Sequence, residues 1–109
     1  MLKTRSPHEE YLIKRVVDTF SVIPEVKEII LYGSRARGDS KEDSDMDILL
    51  VYEGELNNLD ELKRKALPDM EDYLYVSITP YPANIFISIH DPFIENVRKE
   101  GESLWKRQD

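Results

Sequence analysis

The sequence contains no cysteine, and its 109 residues include only four glycines and one tryptophan. The absence of cysteine excludes disulfide bonds, thiolate nucleophiles and cysteine–zinc sites. No apolar run approaches the roughly 20 residues that a membrane-spanning helix requires. The charged stretch 1–10 also lacks the apolar core of a secretion signal. A length of 109 residues leaves room for a single domain, over residues 1–109. Since neither a membrane span nor a secretion signal is found, we expect it in the cytoplasm.

Positive charge is also scarce, because 15 Lys and Arg residues stand against 22 Asp and Glu residues, a net charge of -7. An acidic surface repels the phosphate backbone, so general nucleic-acid binding is disfavoured. A nucleotide remains compatible, because a metal ion can lie between carboxylates and phosphates. With 40% hydrophobic and 34% charged residues, the composition is that of a folded globular protein.

The spacing of apolar residues predicts alternating helices and strands. Ser6 can cap a first helix, which Pro24 is expected to end. The same periodicity predicts strands over Val26–Tyr32, Met46–Tyr52 and Tyr73–Thr79, and helices over Leu59–Met70 and Pro92–Glu100. This order predicts a small α/β or α+β fold, with a mixed sheet of three to four strands and helices packed on one side.

Three segments are less sharply defined by the pattern. Pro68 should cut or distort the last turn of the helix that contains it. The stretch 84–90 alternates Ile with other residues, so both a strand and a helix stay open. Leu104 and Trp105 are expected in a tail that packs on the sheet or on a partner.

Two polar motifs lie where neighbouring predicted strands end and begin, the run GSRARG at 33–38 and the run SDMDIL at 44–49. Asp45 and Asp47 are two positions apart on a predicted strand, so both project from one face. Adjacent carboxylates repel each other unless a cation lies between them, and a separation of roughly 6–7 Å suits one or two hard cations. Magnesium bound in this way recruits substrate phosphates as further ligands.

The first motif has the features of a phosphate-binding turn. Gly33 allows the backbone to approach a phosphate closely, because it has no Cβ. Ser34 offers a hydroxyl and a backbone N–H at the expected start of a short helix. Arg35 and Arg37 have two open interpretations, a phosphate contact or a surface ion pair.

Together the motifs resemble the signature of the minimal nucleotidyltransferases (MNT) of the polymerase-beta-like superfamily. The match spans residues 33–50, and the element order agrees over roughly residues 7–100. The resemblance implies transfer of AMP from ATP to an acceptor hydroxyl, with pyrophosphate leaving and two magnesium ions held by Asp45 and Asp47 as the catalytic carboxylates. The nucleotide-binding residues that it implies are Gly33, Ser34, Arg35, Arg37 and Ser44.

Small members of this family resemble antitoxins that pair with a helical HEPN ribonuclease toxin, which implies such a partner and a hetero-oligomer. Active members carry a third carboxylate on the next strand, and the best-matching position here is Ser77. A serine neither takes a proton at neutral pH nor supplies a negative ligand. An adenylylating antitoxin, an antitoxin that neutralises its toxin by contact alone, and a subunit that senses ATP therefore all stay open.

Overall fold

Four strands pair into one mixed sheet in the part of the chain that the computed structural model describes, residues 5–37, 45–88 and 91–108. The elements in chain order are α1 Pro7–Phe20, β1 Val26–Tyr32, α2 Ser34–Arg37, β2 Met46–Tyr52, α3 Leu59–Ala66, α4 Met70–Tyr75, β3 Val76–Pro82, α5 Ala83–Ser88, α6 Pro92–Glu100 and β4 Glu102–Lys106. The sheet order is β3-β2-β1-β4. β1 pairs antiparallel with β2 and β4, whereas β2 and β3 are parallel, as the α3–α4 crossover between them requires. The predicted mixed α/β class is confirmed.

The first helix begins as its sequence predicts. The Ser6 side chain accepts a hydrogen bond from the backbone N–H of Glu9, and the Glu9 carboxylate accepts one from the backbone N–H of Ser6. The helix ends at Phe20, four residues before Pro24. This 14-residue helix is the longest that the structure describes, and no described helix has the length and apolarity to cross a membrane.

Alternate residues of the two central strands supply two separate apolar layers. Ile29 and Ile48 lie in a larger core beneath α1 and α3, whereas Ile30 and Leu49 lie on the opposite face. We call this opposite side the second face. Val97 of α6 and residues of α5 pack on the second face. The sequence predicts helices on one side of the sheet only. The larger core does lie on one side, beneath α1 and α3, but α5 and α6 also cover part of the second face.

The third strand begins later than the alternation predicted. The Asp69 side chain accepts hydrogen bonds from the backbone N–H groups of Glu71 (2.9 Å) and Asp72 (3.2 Å), so it caps a helix. The predicted strand Tyr73–Thr79 was therefore wrong in its first part, which belongs to α4. The helix before it ends at Ala66, ahead of Pro68, in agreement with the expected break.

Two ambiguous segments are settled where the structure describes them. The stretch left open between strand and helix is helical through Ser88, and its residues 89–90 lie outside the described part. The expected tail is the edge strand β4, in which Trp105 pairs with Ile29 and both Leu104 and Trp105 pack on the main core. The chain leaves α6 at Gly101, where an added Cβ would clash with the carbonyl oxygen of Val97.

Candidate nucleotide and metal site

Gly33 brings the turn after β1 directly against a carboxylate. Its φ of 77° lies in the left-handed region that favours glycine. A Cβ built on Gly33 would lie 2.7 Å from Oδ2 of Asp47, closer than nonbonded atoms can pack. No other residue type fits here without moving the carboxylate. The two sequence motifs therefore meet in space.

The carboxylates lie at the start of β2. Asp47 is the second residue of the strand and is half-buried, whereas the exposed Asp45 comes immediately before the strand. Met46 and Ile48 are fully buried in the main core, as the alternation predicted. Asp47 therefore projects from the second face of the sheet.

The neighbours of Asp47 across the sheet are a tyrosine and a serine. Tyr32 of β1 is its antiparallel partner, and Ser77 of β3 is its parallel partner. Residues in register on adjacent strands share a face. Ser77 therefore stands beside Asp47 on the second face, the position at which the resemblance implies a third carboxylate.

Burial raises the pKa of Asp47 above its usual value, and the nearby charge of Asp45 raises it further. Both effects penalise the ionised form. A cation between the two carboxylates would remove that penalty, because it compensates the lost hydration and the mutual repulsion together. The electrostatics of the pair therefore favour a bound cation.

The donor set suits a metal ion that also binds substrate. Among the described residues, no group of three or more His, Cys, Asp or Glu side chains could enclose a metal. Asp45 and Asp47 supply two carboxylates, and magnesium commonly takes one or two carboxylates and completes its shell with water and phosphate oxygens. The residues present therefore fit magnesium that arrives with a nucleotide.

Arg35 is held against the first helix. Its guanidinium lies 3.2 Å from the Glu9 carboxylate, and both side chains are about 15% exposed (15% and 16%). The same guanidinium lies 5.4 Å from the ring centre of Tyr75. Burial raises the pKa of the Tyr75 hydroxyl, and the positive charge of Arg35 opposes that rise. Arg35 thus carries a fixed positive charge one residue beyond Ser34.

The remaining predicted contacts are less fixed. Ser34 begins α2, a single turn in which the N–H of Arg37 donates to the carbonyl of Gly33 at 3.1 Å. Arg37 forms an exposed ion pair with Glu100 at 3.4 Å. Ser44 lies outside the described residues. The roles of all these residues toward a nucleotide stay predictions.

A cleft of about 440 Å³ adjoins Arg35 and is open to solvent. His8 and Asp72 line it, and a hydrogen bond of 2.8 Å between their side chains joins the N-terminal end of α1 to α4. Tyr75 also lines it, and the negative charge of Asp45 is close enough to raise the pKa of the Tyr75 hydroxyl further. The cleft therefore leads from the first turn of α1 toward the carboxylates.

The sequence reasoning missed two residues of this region. Glu9 is not among the predicted site residues, yet one of its oxygens accepts a hydrogen bond from the backbone N–H of Ser6 and the other accepts one from the Arg35 guanidinium. Tyr75 lies within the predicted strand 73–79, but in the structure it ends α4 and its ring contacts Arg35. No local motif marks either contact, because Glu9 and Arg35 are 26 positions apart.

Comparisons with known proteins agree with this geometry. The profile of the nucleotidyltransferase domain family matches residues 10–103. A protein of Methanocaldococcus jannaschii named "putative protein adenylyltransferase" is 40% identical over 101 residues, which cover 90% of this chain and 99% of that protein.

Two toxin–antitoxin complexes contain a chain of similar structure. A chain of a complex with AMP-PNP is 26% identical, with a TM-score of 0.59 and coverage of 92% of this chain and 74% of that chain. A chain of the complex between an MNT antitoxin and a tri-AMPylated HEPN toxin of Shewanella oneidensis is 20% identical, with a TM-score of 0.58 and coverage of 91% and 73%. The latter likeness shows the fold alone. Given the family profile and the M. jannaschii relative, each of which covers most of the chain, this protein belongs to the nucleotidyltransferase domain family.

Proposed function

We propose that the chain transfers AMP from ATP to a hydroxyl of a partner protein, with magnesium, and that the partner is a HEPN-type toxin which this transfer neutralises. The observation that carries the proposal is the approach of Gly33 to Oδ2 of Asp47. That contact joins a backbone turn suited to phosphate with a carboxylate suited to a cation. Transfer of AMP requires the phosphate-binding turn and the metal-binding carboxylate to lie within the length of one triphosphate.

Each residue of the site has a part in the reaction. Gly33 and Ser34 bind the triphosphate, since the turn exposes backbone N–H groups and a hydroxyl without a side chain in the way. Asp45 and Asp47 hold magnesium, which we expect as two ions and which screens the charge that develops on the phosphate oxygens. Arg35, fixed by Glu9, adds a positive charge near the phosphates.

The bond changes are those of phosphoryl transfer. The acceptor oxygen forms a bond to the α-phosphorus, and the bond from that phosphorus to the bridging oxygen of the pyrophosphate breaks. The acceptor proton is released to water, because Ser77, which stands beside Asp47, is no base at neutral pH. We therefore expect slow transfer that depends on positioning and on charge stabilisation.

Neutralisation by contact alone is the second candidate, and the serine beside Asp47 favours it. In that case the nucleotide fold serves as a scaffold that covers the toxin. The related toxin–antitoxin complexes support a partner of this kind for either mechanism.

Intact-mass spectrometry of a HEPN-type toxin, produced together with this chain as the candidate partner, tests the proposal. The partner is incubated with the chain, ATP and magnesium, and in parallel with the isosteric Asp45→Asn/Asp47→Asn double variant. We expect mass gains in whole AMP units with the natural chain, and a rate on the order of 1,000-fold lower with the variant, because several kcal/mol of charge stabilisation disappear.

The variant also separates the two candidates. A complex that forms equally well with the variant, but in which toxin activity returns, assigns neutralisation to transfer. A stable complex with no mass gain from the natural chain, and with the toxin still silent, refutes transfer and favours contact.

A further inference from the structure

A second cavity, of about 510 Å³, lies beyond the far end of β2 from the carboxylates. It is bounded by α5, α6 and the ends of β1, β2 and β4. Val51 contributes to it and is four residues from Asp47 along the strand, about 13 Å at the rise of an extended chain. The cavity is therefore separate from the proposed catalytic site, and its size is that of a small-molecule pocket.

Apolar side chains form one wall of the cavity. Val51, Ala83 and Phe86 belong to the layer that covers the second face, and Ile87 extends from α5 with 75% of its surface exposed. Isolated exposed apolar residues are common, but this one stands at the rim of an apolar recess. A ligand with a flat or apolar body would gain contact with the whole wall.

Cations also line the cavity. Lys27, Arg98, Lys106 and Arg107 line the cavity, against two acidic residues, Glu28 and Glu53. This local excess of positive charge occurs in a chain whose net charge is -7. An anion is therefore attracted here and repelled over most of the remaining surface.

The charges at the cavity are not neutralised by carboxylates. Lys27, Arg98 and Lys106 form no ion pair with any residue in the described ranges, whereas Arg5 and Lys14 both do. The Arg98 guanidinium instead lies 5.0 Å from the ring centre of Phe86. Cations that are not paired with a carboxylate are available to an anionic ligand.

Arg107 supplies a preorganised charge. Its guanidinium donates hydrogen bonds to the backbone carbonyls of Val26 (2.9 Å), Ser21 (3.0 Å) and Ile23 (2.8 Å). These neutral acceptors fix the side chain without cancelling its charge. An anion that binds beside it therefore needs to order little of the protein.

We propose that this cavity binds a small organic anion whose charged group is attached to a flat apolar body, as in a nucleoside phosphate or an aromatic carboxylate. The cations recognise the anion, and Phe86, Ile87 and Val51 recognise the body. The inference is independent of the proposed transferase activity, since it uses none of the carboxylates that hold magnesium.

The test uses 8-anilinonaphthalene-1-sulfonate, a fluorescent aromatic anion, with the full chain in EDTA. Without metal, Asp45 and Asp47 repel the probe from the other site. Reversal of two cations, Lys27→Glu/Lys106→Glu, should raise the Kd at least about tenfold, because charge-assisted contacts are lost. Lys65→Glu/Lys99→Glu, an identical change of net charge outside the cavity, should leave the Kd within about twofold.

A third variant tests whether a loss of probe affinity arises from a folding defect. Ile87→Asp places a negative charge at an exposed rim position, so the fold should persist while probe affinity falls by a similar factor. Amide chemical-shift mapping of the natural chain should place the probe at Ala83, Phe86 and Ile87. Shifts centred on the exposed Met70 and Leu74 of α4 instead, or equal affinity in both reversal pairs, would overturn the proposal.

Competition then identifies the source of the anion. Displacement of the probe by AMP assigns the cavity to nucleoside phosphates, and displacement by 1-naphthoate assigns it to aromatic carboxylates. Displacement by inorganic phosphate at the same concentration would contradict the inference, because phosphate has no apolar body.

Discussion

The two ends of β2 present opposite chemistry to a ligand. At its start, Asp45 and Asp47 concentrate negative charge against a glycine turn, and at its end Val51 adjoins a cavity rich in cations. We expect the first end to need a metal ion before it accepts a phosphate, and the second end to attract an anion directly. One strand can therefore serve two unlike ligands, because its side chains change while its backbone stays regular.

The largest effect is expected at the start of β2, the proposed catalytic end, where the glycine turn is crowded against Asp47. Gly33→Ala should lower the rate of AMP transfer about 100-fold, because a Cβ at 2.7 Å forces the Asp47 carboxylate out of place. Gly54→Ala is the matched control, since Gly54 also has a positive φ, of 90°, but its added Cβ would lie 3.7 Å from a Glu25 side chain.

Both alanines should cost about 1–2 kcal/mol of folding free energy from the left-handed backbone. Thermal unfolding and initial rates by mass spectrometry separate the two effects. If the two variants lose equal activity, the approach of Gly33 to Asp47 has no special role in the reaction.

A carboxylate introduced beside Asp47 should increase the rate of transfer at the proposed catalytic end. Ser77→Asp should raise the transfer rate about tenfold, since a base or metal ligand at this position completes the site. Thr79→Asp, two residues along the same strand, should give no gain, because it is in register with Leu49. Initial rates at saturating magnesium test this, and an unchanged rate in Ser77→Asp would show that the serine does not limit transfer.

Local sequence patterns predicted the proximity of the two motifs better than they predicted the edges of the fold. Gly33 and Asp47 belong to contiguous motifs, so their residue types alone indicated that they meet. The extent of α4 was not predicted, because Tyr73 and Leu74 alternate like strand residues. The N-terminal cap formed by Asp69 stabilises a helix at these positions instead. β4 is a strand because it pairs with β1, across more than 70 positions, and no local pattern encodes that pairing.

Substitution of Asp47 should change stability in the opposite direction to activity, and by a smaller amount. The pKa of Asp47 is raised, so ionisation is disfavoured in the folded protein. In EDTA the natural chain should therefore lose stability as the pH rises from about 4, the ordinary value for Asp, through the raised pKa. Asp47→Asn should unfold at a higher temperature than the natural chain at pH 7, and this advantage should vanish near pH 3.

Thermal melts followed by circular dichroism test that linkage. Asp18→Asn is the control, because Asp18 is an exposed carboxylate on α1 that pairs with Lys14. A melting temperature of Asp47→Asn below that of the natural chain at pH 7 would show that Asp47 stabilises the metal-free fold.

We expect the metal and the nucleotide to meet at the glycine turn. Manganese, as a paramagnetic substitute for magnesium, can be added with AMP-PNP to the isotopically labelled chain, and amide signals followed for broadening. We predict broadening centred on Gly33, Ser34, Asp47 and Ser77, strengthened by the nucleotide and lost in Asp45→Asn/Asp47→Asn. Broadening centred elsewhere, or unchanged in the double variant, would contradict the account.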